Sequence, residues 1–319
     1  MTHVVHWDDC QGRDRHAGDI HATWFDLGRL GGSDRVGLNR IAIQPGRRST
    51  PAHIHGAEEE IFHVLSGTGL LWQDGQVCEV GPGDTIAHPA NAQTHTLRAG
   101  DQVLDVLAFG TRVPLELCYL PRAGHAWAGP TVVEAPGMRN LFKLDDAAGE
   151  FPFSEPGERH PNVAALDDVE PMPAGPEVRV RRDLGAATGT VRTGLKHITS
   201  EPGRLVCAPH CHSAEEEAFV VLDGSGTLEL LPTPRLADNG VEPESHELRA
   251  GHVVSRPAGT RVAHSIVSGP DGISYLAYGT REPNDMAYYP RSNKISFRGV
   301  GVIARLEHVE YGDGEPDDL

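Results

Sequence analysis

The chain has 319 residues, a formal net charge of −17 and 39% hydrophobic residues. This length is enough for two domains that each bury a core. The acidic balance argues against nucleic acid or an anionic membrane surface as a partner. No apolar run approaches the length of a membrane span, and the first residues lack the pattern of a signal peptide. The five cysteines are odd in number and irregularly spaced, which is typical of reduced thiols, so we expect a cytoplasmic protein.

An internal repeat organises the chain. Residues 26–69 align without a gap with residues 183–226, and 22 of the 44 aligned positions are identical. The offset between the halves grows from 157 to 169 because of a polar insertion around residues 232–245, which is predicted to be a solvated loop. We expect an N-terminal barrel over residues 1–125, a linker over 126–160, a C-terminal barrel over 161–292, and strands with an acidic tail over 293–319.

Each half is predicted to be all-β. Short runs rich in Val, Ile and Leu alternate with Gly, Pro, Asn and Asp about every eight to twelve residues, which is typical of a sandwich or barrel. Asp74-Gly75 lies between two such runs and predicts a hairpin turn. The linker is rich in Pro, Gly and acidic residues, and we expect at most one strand in it, over residues 131–134.

The histidines follow a metal-ligand pattern. His53 and His55 are separated by one residue, so on a strand both side chains point to the same face. Glu60 can return to that face from the next strand, and His95 can supply a third imidazole. One such pair is expected by chance among 18 histidines, but two complete sets at matching places in a repeat are not. The alternative is a pair of histidine-rich strands without a ligand. The second set is His210, His212, Glu217 and His264.

These spacings resemble the two motifs of the cupin family. The first motif is matched by Gly46-x6-His53-x-His55-x4-Glu60-x6-Gly67 and Gly203-x6-His210-x-His212-x4-Glu217-x6-Gly224, and the second by Gly83-x5-Pro89-x-Asn91-x3-His95 and Gly251-x5-Pro257-x-Gly259-x4-His264. The chain is therefore similar to bicupins, above all to bacterial bicupins without an assigned function. The resemblance implies two tandem jelly-roll (double-stranded β-helix) barrels.

The chain departs from the second cupin motif at two points. Asn91 stands where the motif has glycine, and the Pro-to-His spacing is six residues in the first half but seven in the second. Because Asn tolerates a left-handed backbone, we expect the first site to be intact.

Three imidazoles and one carboxylate suit a divalent transition metal. A six-coordinate ion held by four protein ligands has two further positions for water, substrate or O2, and it can polarise an anionic oxygen. A ligand set without thiolate does not identify the metal. The resemblance favours Fe(II) or Mn(II), with Ni, Zn and Co as alternatives, at two sites per chain.

The first functional interpretation is a metal-dependent oxidoreductase, a dioxygenase that acts with O2 on a small oxygen-bearing organic anion. One alternative is an isomerase, lyase or decarboxylase that uses the ion as a Lewis acid. The other is a non-catalytic small-molecule-binding or storage protein, because a fold does not fix a function. A monomer and a modest homo-oligomer are both compatible with the sequence.

Further residues are candidates for lining a substrate pocket. Arg40 and its counterpart His197 can reach a substrate carboxylate, although the barrel exterior is an equal alternative. His88 directly precedes Pro89, and the aromatic candidates can also belong to the core. The first two glutamates of the triplets 58–60 and 215–217 are expected at a solvated rim. The pocket candidates are Arg40, Phe62, Trp72, His88, Phe109, His197 and Tyr278.

Overall fold

The computed structural model describes residues 4–128, 131–133, 141–172, 179–309 and 312–314. As predicted, these residues form mainly β-sheet, and the pairs between the named strands are antiparallel. The strands before residue 140 are β1 Val4–His6, β2 Arg13–Ala17, β3 Ile20–Asp26, β4 Val36–Ile43, β5 Ile54–His55, β6 Glu60–Ser66, β7 Gly69–Gln73, β8 Gln76–Val80, β9 Asp84–His88, β10 His95–Ala99, β11 Leu104–Thr111, β12 Leu117–Leu120, β13 His125–Ala128 and β14 Thr131–Val133.

The second half repeats this arrangement with longer strands. Its strands are β15 Val163–Ala165, β16 Arg179–Asp183, β17 Gly194–Ser200, β18 Cys211–His212, β19 Glu217–Pro232, β20 Glu244–Arg249, β21 His252–Arg256, β22 Val262–Gly279, β23 Met286–Tyr289, β24 Lys294–Phe297 and β25 Val302–Arg305. The helices are α1 Leu27–Leu30, α2 Leu141–Ala147, α3 Leu184–Thr188 and α4 Pro234–Asp238, with single 3-10 turns at Trp7–Asp9, Leu166–Asp168 and Arg298–Val300. In the described part of the chain, no helix has the length and apolarity needed to cross a membrane.

The N-terminal barrel is built from two main sheets and a smaller one. One sheet has the order β15-β9-β6-β11-β4-β3-β2, and the other is β10-β7-β8. A third sheet, β14-β13-β12-β5, contains the strand that ends at His55. The C-terminal barrel has β1-β21-β19-β22-β17-β16 with β20 beside β19, and a matching small sheet, β18-β23-β24-β25.

The two halves exchange their first strands. β1 pairs with β21 of the C-terminal barrel, with Val4 opposite Val254. In the same way, β15 pairs with β9 of the N-terminal barrel, with Val163 opposite Ile86. The predicted domain bounds therefore differ from the structure at their starts. They also differ at their ends, because β13 spans the expected boundary at residue 125 and β24 and β25 complete the small sheet of the C-terminal barrel.

Equivalent residues of the two halves form the contact between the barrels. Each barrel has its own interior core, and a third apolar cluster joins them. In that cluster, Phe109 stacks on Tyr278 with ring centroids 5.4 Å apart. The pairing of like with like gives the pseudo-two-fold contact expected of a symmetric dimer, here within one chain. Other members of this cluster are Leu27, Leu38, Leu184 and Leu195.

Two buried glutamates form hydrogen bonds between the barrels. Glu59 accepts hydrogen bonds from the backbone N–H groups of Val191 (2.8 Å) and Thr193 (2.9 Å). Its counterpart Glu216 accepts from the N–H groups of Asp34 (3.0 Å) and Arg35 (2.6 Å) and from the Ser33 hydroxyl. Both glutamates are 1% exposed. The expectation of solvated rim residues was therefore wrong, because a loop of the opposite half supplies the donors that allow each carboxylate to be buried.

The segment expected to be a linker packs onto the N-terminal barrel. It contains β14, over residues 131–133 of the predicted 131–134, and also the unexpected helix α2. Asp145 of α2 is fully buried and binds the guanidinium of the buried Arg48 at 2.5 Å. Arg48 also lies over the ring of Phe151 at 4.2 Å. Residue 134 of the predicted strand lies outside the described residues.

Candidate metal centres

The first cluster forms where three strands of the N-terminal barrel begin or end. His53 is joined to His95 by an antiparallel bridge, with backbone hydrogen bonds of 3.2 and 3.0 Å in the two directions. His55 ends β5, and Glu60 begins β6. The Nε2 atoms of His53, His55 and His95 lie 3.8, 3.5 and 3.1 Å from Glu60 Oε2. The structure therefore brings the four predicted residues of this half to one point.

The second cluster repeats this geometry in the C-terminal barrel. His210 and His264 form the equivalent bridge. The Nε2 atoms of His210, His212 and His264 lie 3.9, 3.3 and 3.1 Å from Glu217 Oε2. The additional residue between Pro257 and His264 is accommodated in a turn in which Gly259 and Arg261 have positive φ angles, so His264 keeps its place.

Asn91 occupies the position of a motif glycine without disturbing the first cluster. Its φ angle is +56°, and its N–H donates to the carbonyl of His55 at 2.8 Å. Gly259, the equivalent residue, has φ +71° and makes the same 2.8 Å bond to His212. The Asn91 amide also donates to the carbonyl of Gly56. The left-handed backbone expected at this residue is therefore present.

Hydrogen-bond partners at the Nδ1 atoms fix the orientation of the imidazoles. The Nδ1 atom of His53 lies 3.0 Å from the carbonyl of Pro51, and that of His210 lies 2.8 Å from the carbonyl of Ala208. His212 Nδ1 lies 2.6 Å from an oxygen of Asp285, which also accepts from two backbone N–H groups. Contacts of this kind set the tautomer and ring orientation of histidines that bind metals.

A carboxylate at the same place supports the second histidine of the N-terminal cluster. Glu116 lies 3.4 Å from His55 Nδ1 and accepts from the N–H groups of residues 56–58. The chain offset between Glu116 and Asp285 is 169, the same as between His95 and His264. Neither residue was predicted from the sequence, although two acids at matching positions of the repeat could have indicated a shared role beside the clusters.

The donor atoms fit a cation. The Nε2 atoms of His55, His212 and His264 and the Oε2 atom of Glu217 are buried and make no hydrogen bond of good geometry in the described structure. Buried nitrogen and oxygen atoms that converge on one point suit a divalent metal ion. The residues present therefore fit the divalent metal implied by the sequence.

The protonation states differ within each cluster. Against the effect of burial, nearby carboxylates raise the pKa of His55 and of His212 to about 10, so each carries a proton that a bound metal ion would displace. Burial lowers the pKa of His53 and of His264 to about 3, so both imidazoles are neutral, as a ligand must be. Burial opposes ionisation of Glu60, but the nearby imidazoles of His55 and His95 outweigh it and hold the pKa of that carboxyl well below its usual range.

A cavity of about 560 Å³ opens onto the C-terminal cluster. Its volume lies within the range of roughly 300–1,000 Å³ that is typical of small-molecule sites. Aromatic side chains, including Phe219, Tyr275 and Tyr289, form part of its wall. The cavity is also lined by cationic side chains, which are Arg179, Arg181, Lys196 and Arg298.

Two of the predicted pocket residues lie on the wrong face of their strand. Arg40 points away from the barrel interior, bonds to Asp105 at 2.7 Å and lies over the ring of Trp7. His197 bonds to the hydroxyl of Ser274 at 2.9 Å. The residue that reaches the cavity is the neighbour, Lys196, because a shift by one residue on a strand changes the face.

Most of the aromatic candidates pack against other apolar side chains, the alternative that the sequence had left open for them. Phe109 and Tyr278 belong to the apolar contact between the barrels and not to a pocket. Trp72 packs edge-on against Phe151 of the segment that follows α2, at 4.9 Å. Phe62 alone of the aromatic candidates lies beside a cluster, 5.9 Å from the ring of His95.

His88 lies against the N-terminal cluster. Its ring stacks on that of His95 with centroids 3.6 Å apart and an interplanar angle of 4°. It is buried, and burial lowers its pKa well below the usual value. At the equivalent position of the C-terminal barrel, Arg256 donates to the carbonyl of Val262 at 2.6 Å. The two clusters therefore have different neighbours, although their donor sets are the same.

Comparison with known proteins agrees with this architecture. Residues 39–109 match the family described as "Cupin domain". An uncharacterised protein of Methanocaldococcus jannaschii is 36% identical over 66 residues, which are 21% of this chain and 53% of that protein. The chain therefore matches about half the length of this relative.

The solved structures that resemble the chain include oxalate decarboxylase from Bacillus subtilis at pH 4.6. The TM-score is 0.57 at 15% identity, over 87% of this chain and 75% of that chain. A structure from a study of the Mn(II) centres of the same enzyme gives a TM-score of 0.58 at 14% identity, over 88% and 78%. At this level of identity, the likeness is one of fold.

Proposed function

Because this chain is a bicupin of the cupin superfamily, we propose that it is a metal-dependent enzyme that acts on a small oxygen-bearing organic anion in its C-terminal barrel. His210, His212, Glu217 and His264 hold the catalytic ion. The second set, His53, His55, Glu60 and His95, holds a further ion in the N-terminal barrel. Fe(II) and Mn(II) are the first choices for the metal.

One observation supports this assignment above the others. The four donor residues of the C-terminal cluster surround a point at the wall of a 560 Å³ cavity that also carries cationic side chains. A buried donor set beside a space for a ligand is the usual arrangement of a catalytic metal site, whereas structural sites are closed.

The chain's own residues prepare the site for an anion. Asp285 and the carbonyl of Ala208 hold His212 and His210 in place. Phe219, whose ring centroid lies 5.3 Å from that of His264, excludes water from one side. When bound, the metal supplies Lewis-acid polarisation of a substrate oxygen.

The cationic wall favours a decarboxylase, lyase or isomerase. Such reactions commonly start from a carboxylate, and fixed cations in the cavity attract and hold an anion of this kind. The fold neighbour is itself named an oxalate decarboxylase, which is compatible with this reaction class. A dioxygenase is the second candidate, because four protein ligands on a six-coordinate ion leave two positions.

The test uses full-length protein purified without a nickel column and reloaded with Mn(II) or Fe(II). Anaerobic turnover of carboxylic acids, followed by CO2 release and product analysis, is the expected result. Turnover that requires O2 and consumes it identifies a dioxygenase. Binding of an acid without any turnover, aerobic or anaerobic, contradicts both and identifies a binding or storage protein.

Matched variants of the two clusters identify the working centre. Glu217→Gln and Glu60→Gln make the same change in each half. We expect Glu217→Gln to abolish turnover and Glu60→Gln to retain it. The reverse result would place the reaction in the N-terminal barrel and contradict the assignment.

A further inference from the structure

The C-terminal cavity carries a group of cations on one inner wall. Arg179 and Arg181 occupy alternate positions of β16, so their side chains share a face, and Lys196 lies on the adjacent strand β17. All three line the cavity. These three residues are called the cationic face below. This feature deepens the proposed function, on which it rests, because it bears on the class of substrate.

The cavity has a strong local excess of positive charge. Its lining contains four cationic side chains, the fourth being Arg298, against the carboxylates Glu217 and Asp285. Glu217 faces three imidazoles, and Asp285 is occupied by His212 and two backbone N–H groups. Arg298 forms an ion pair with Glu215. In a chain whose formal net charge is −17, this concentration of cations focuses the field on an anion inside the cavity.

The N-terminal barrel shows that the fold does not require these cations. Ala22, Trp24 and Asn39 precede Arg179, Arg181 and Lys196 by 157 residues, the offset of the repeat. The strand register is the same, since Trp24 pairs with Ile41 as Arg181 pairs with Ile198. Ala22 and Trp24 pack into the apolar interior of their barrel. The same backbone position is thus neutral in one barrel and cationic in the other.

The cationic face is separated from the metal cluster. Lys196 and Phe219 each pair with Ala277, so they lie two strands apart in one row, and Phe219 follows Glu217 by two residues. Adjacent strands are about 4.8 Å apart, which puts the backbones of Lys196 and Phe219 roughly 10 Å apart. Ala277 lies between them, and Ile198 and Tyr275 form the neighbouring row of the cavity wall, which suits a carbon skeleton.

We propose that the substrate is an organic polyanion: one oxygen-bearing end lies at the His210–Glu217 cluster, and a second anionic group, carboxylate or phosphate, is bound by Arg181 and Lys196 with Arg179 beside them. Arginine side chains suit this role because the guanidinium binds both groups through two parallel hydrogen bonds. The distance between the two ends requires a skeleton larger than that of a two-carbon diacid.

The experiment measures binding by isothermal titration calorimetry to the full-length Mn(II)-loaded protein. The probes are benzoate, oxalate, terephthalate, citrate and 4-carboxyphenyl phosphate. We expect terephthalate, citrate or 4-carboxyphenyl phosphate to bind about tenfold or more tighter than benzoate and oxalate. A preference for 4-carboxyphenyl phosphate over terephthalate identifies the second group as phosphate, and the opposite preference identifies it as carboxylate.

Variants test the residues. Lys196→Asn introduces the residue that the N-terminal barrel has at this position, and Arg181→Gln removes a second charge. Each is expected to weaken polyanion binding about 10- to 100-fold and to change benzoate binding little. Arg235→Gln, at an exposed residue of α4, is the control. Circular dichroism checks that each variant is folded, and one folded variant is enough to test the inference.

Equal binding of benzoate and terephthalate, or an equal effect of Lys196→Asn on both, would overturn the inference. Turnover of a monoanion would then still support the proposed function. Conversely, polyanion binding that depends on Lys196 and Arg181 but is never followed by turnover would support the inference and contradict the proposed function.

Discussion

The contact between the barrels depends on Glu59, and the stability that is lost when Glu59 is replaced can be estimated from the structure. In Glu59→Ala, the backbone N–H and the hydroxyl of Thr193 lose their acceptor, and Thr193 is fully buried. Each unsatisfied buried donor costs about 1–3 kcal/mol. Val191 is 73% exposed, so water can replace its lost bond. We therefore expect a loss of about 3 kcal/mol, a large fraction of the roughly 5–15 kcal/mol that stabilises a folded protein.

Urea unfolding followed by circular dichroism and tryptophan fluorescence measures this loss. With a slope of about 3 kcal/mol per molar urea, the midpoint falls by about 1 M. Glu79→Ala removes an exposed glutamate of β8 and is the control. Glu216→Ala should match Glu59→Ala, because its carboxylate binds the loop at residues 33–35 in the same way. A midpoint for Glu59→Ala that equals that of the control would refute the reasoning.

Three further outcomes are expected. Asp285→Asn should weaken metal binding at the C-terminal cluster about 10- to 100-fold, since Asp285 orients His212; metal content after dialysis against a chelator measures this, and unchanged retention contradicts it. Asp145→Ala should lower the free energy of unfolding by about 1.5–3 kcal/mol, because the buried Arg48 loses one charged hydrogen-bond partner and keeps Asp19; a thermal melt that matches the parent argues against this. Burial lowers the pKa of Lys196, and the cations Arg281 and Arg181 lower it further against the opposing charge of Asp183. Terephthalate binding should therefore weaken as pH rises, and it should do so at a lower pH than that at which an ordinary lysine titrates. Calorimetry at several pH values that shows no such weakening excludes Lys196 as a binding group.

The donor sets could be predicted from sequence because each depends on local rules. The alternation of a strand puts His53 and His55 on one face, and the repeat shows that the pattern is not accidental. The backbone of Asn91 followed from the tolerance of asparagine for positive φ. None of these inferences requires knowledge of a distant part of the chain.

Other features depend on contacts that a single half does not contain. Glu59 and Glu216 are buried by donors from the opposite barrel, and no local pattern distinguishes them from solvated acids. Arg40 and His197 were proposed for the pocket because the alternation of their strands was assigned one residue out of phase. This error exchanged the inner and outer faces of the strands. The cationic face was missed for the same reason, because Lys196 is the inward neighbour of His197.

The reciprocal placement of β1 and β15 has a consequence during synthesis. Val4–His6 is translated long before its partner, His252–Arg256, which follows nearly 250 residues later. The earlier barrel, in turn, lacks an edge until Val163–Ala165 has been translated. Each unit takes one edge strand from the other half, so a break in the polypeptide between them leaves two pieces that each lack a strand until they associate.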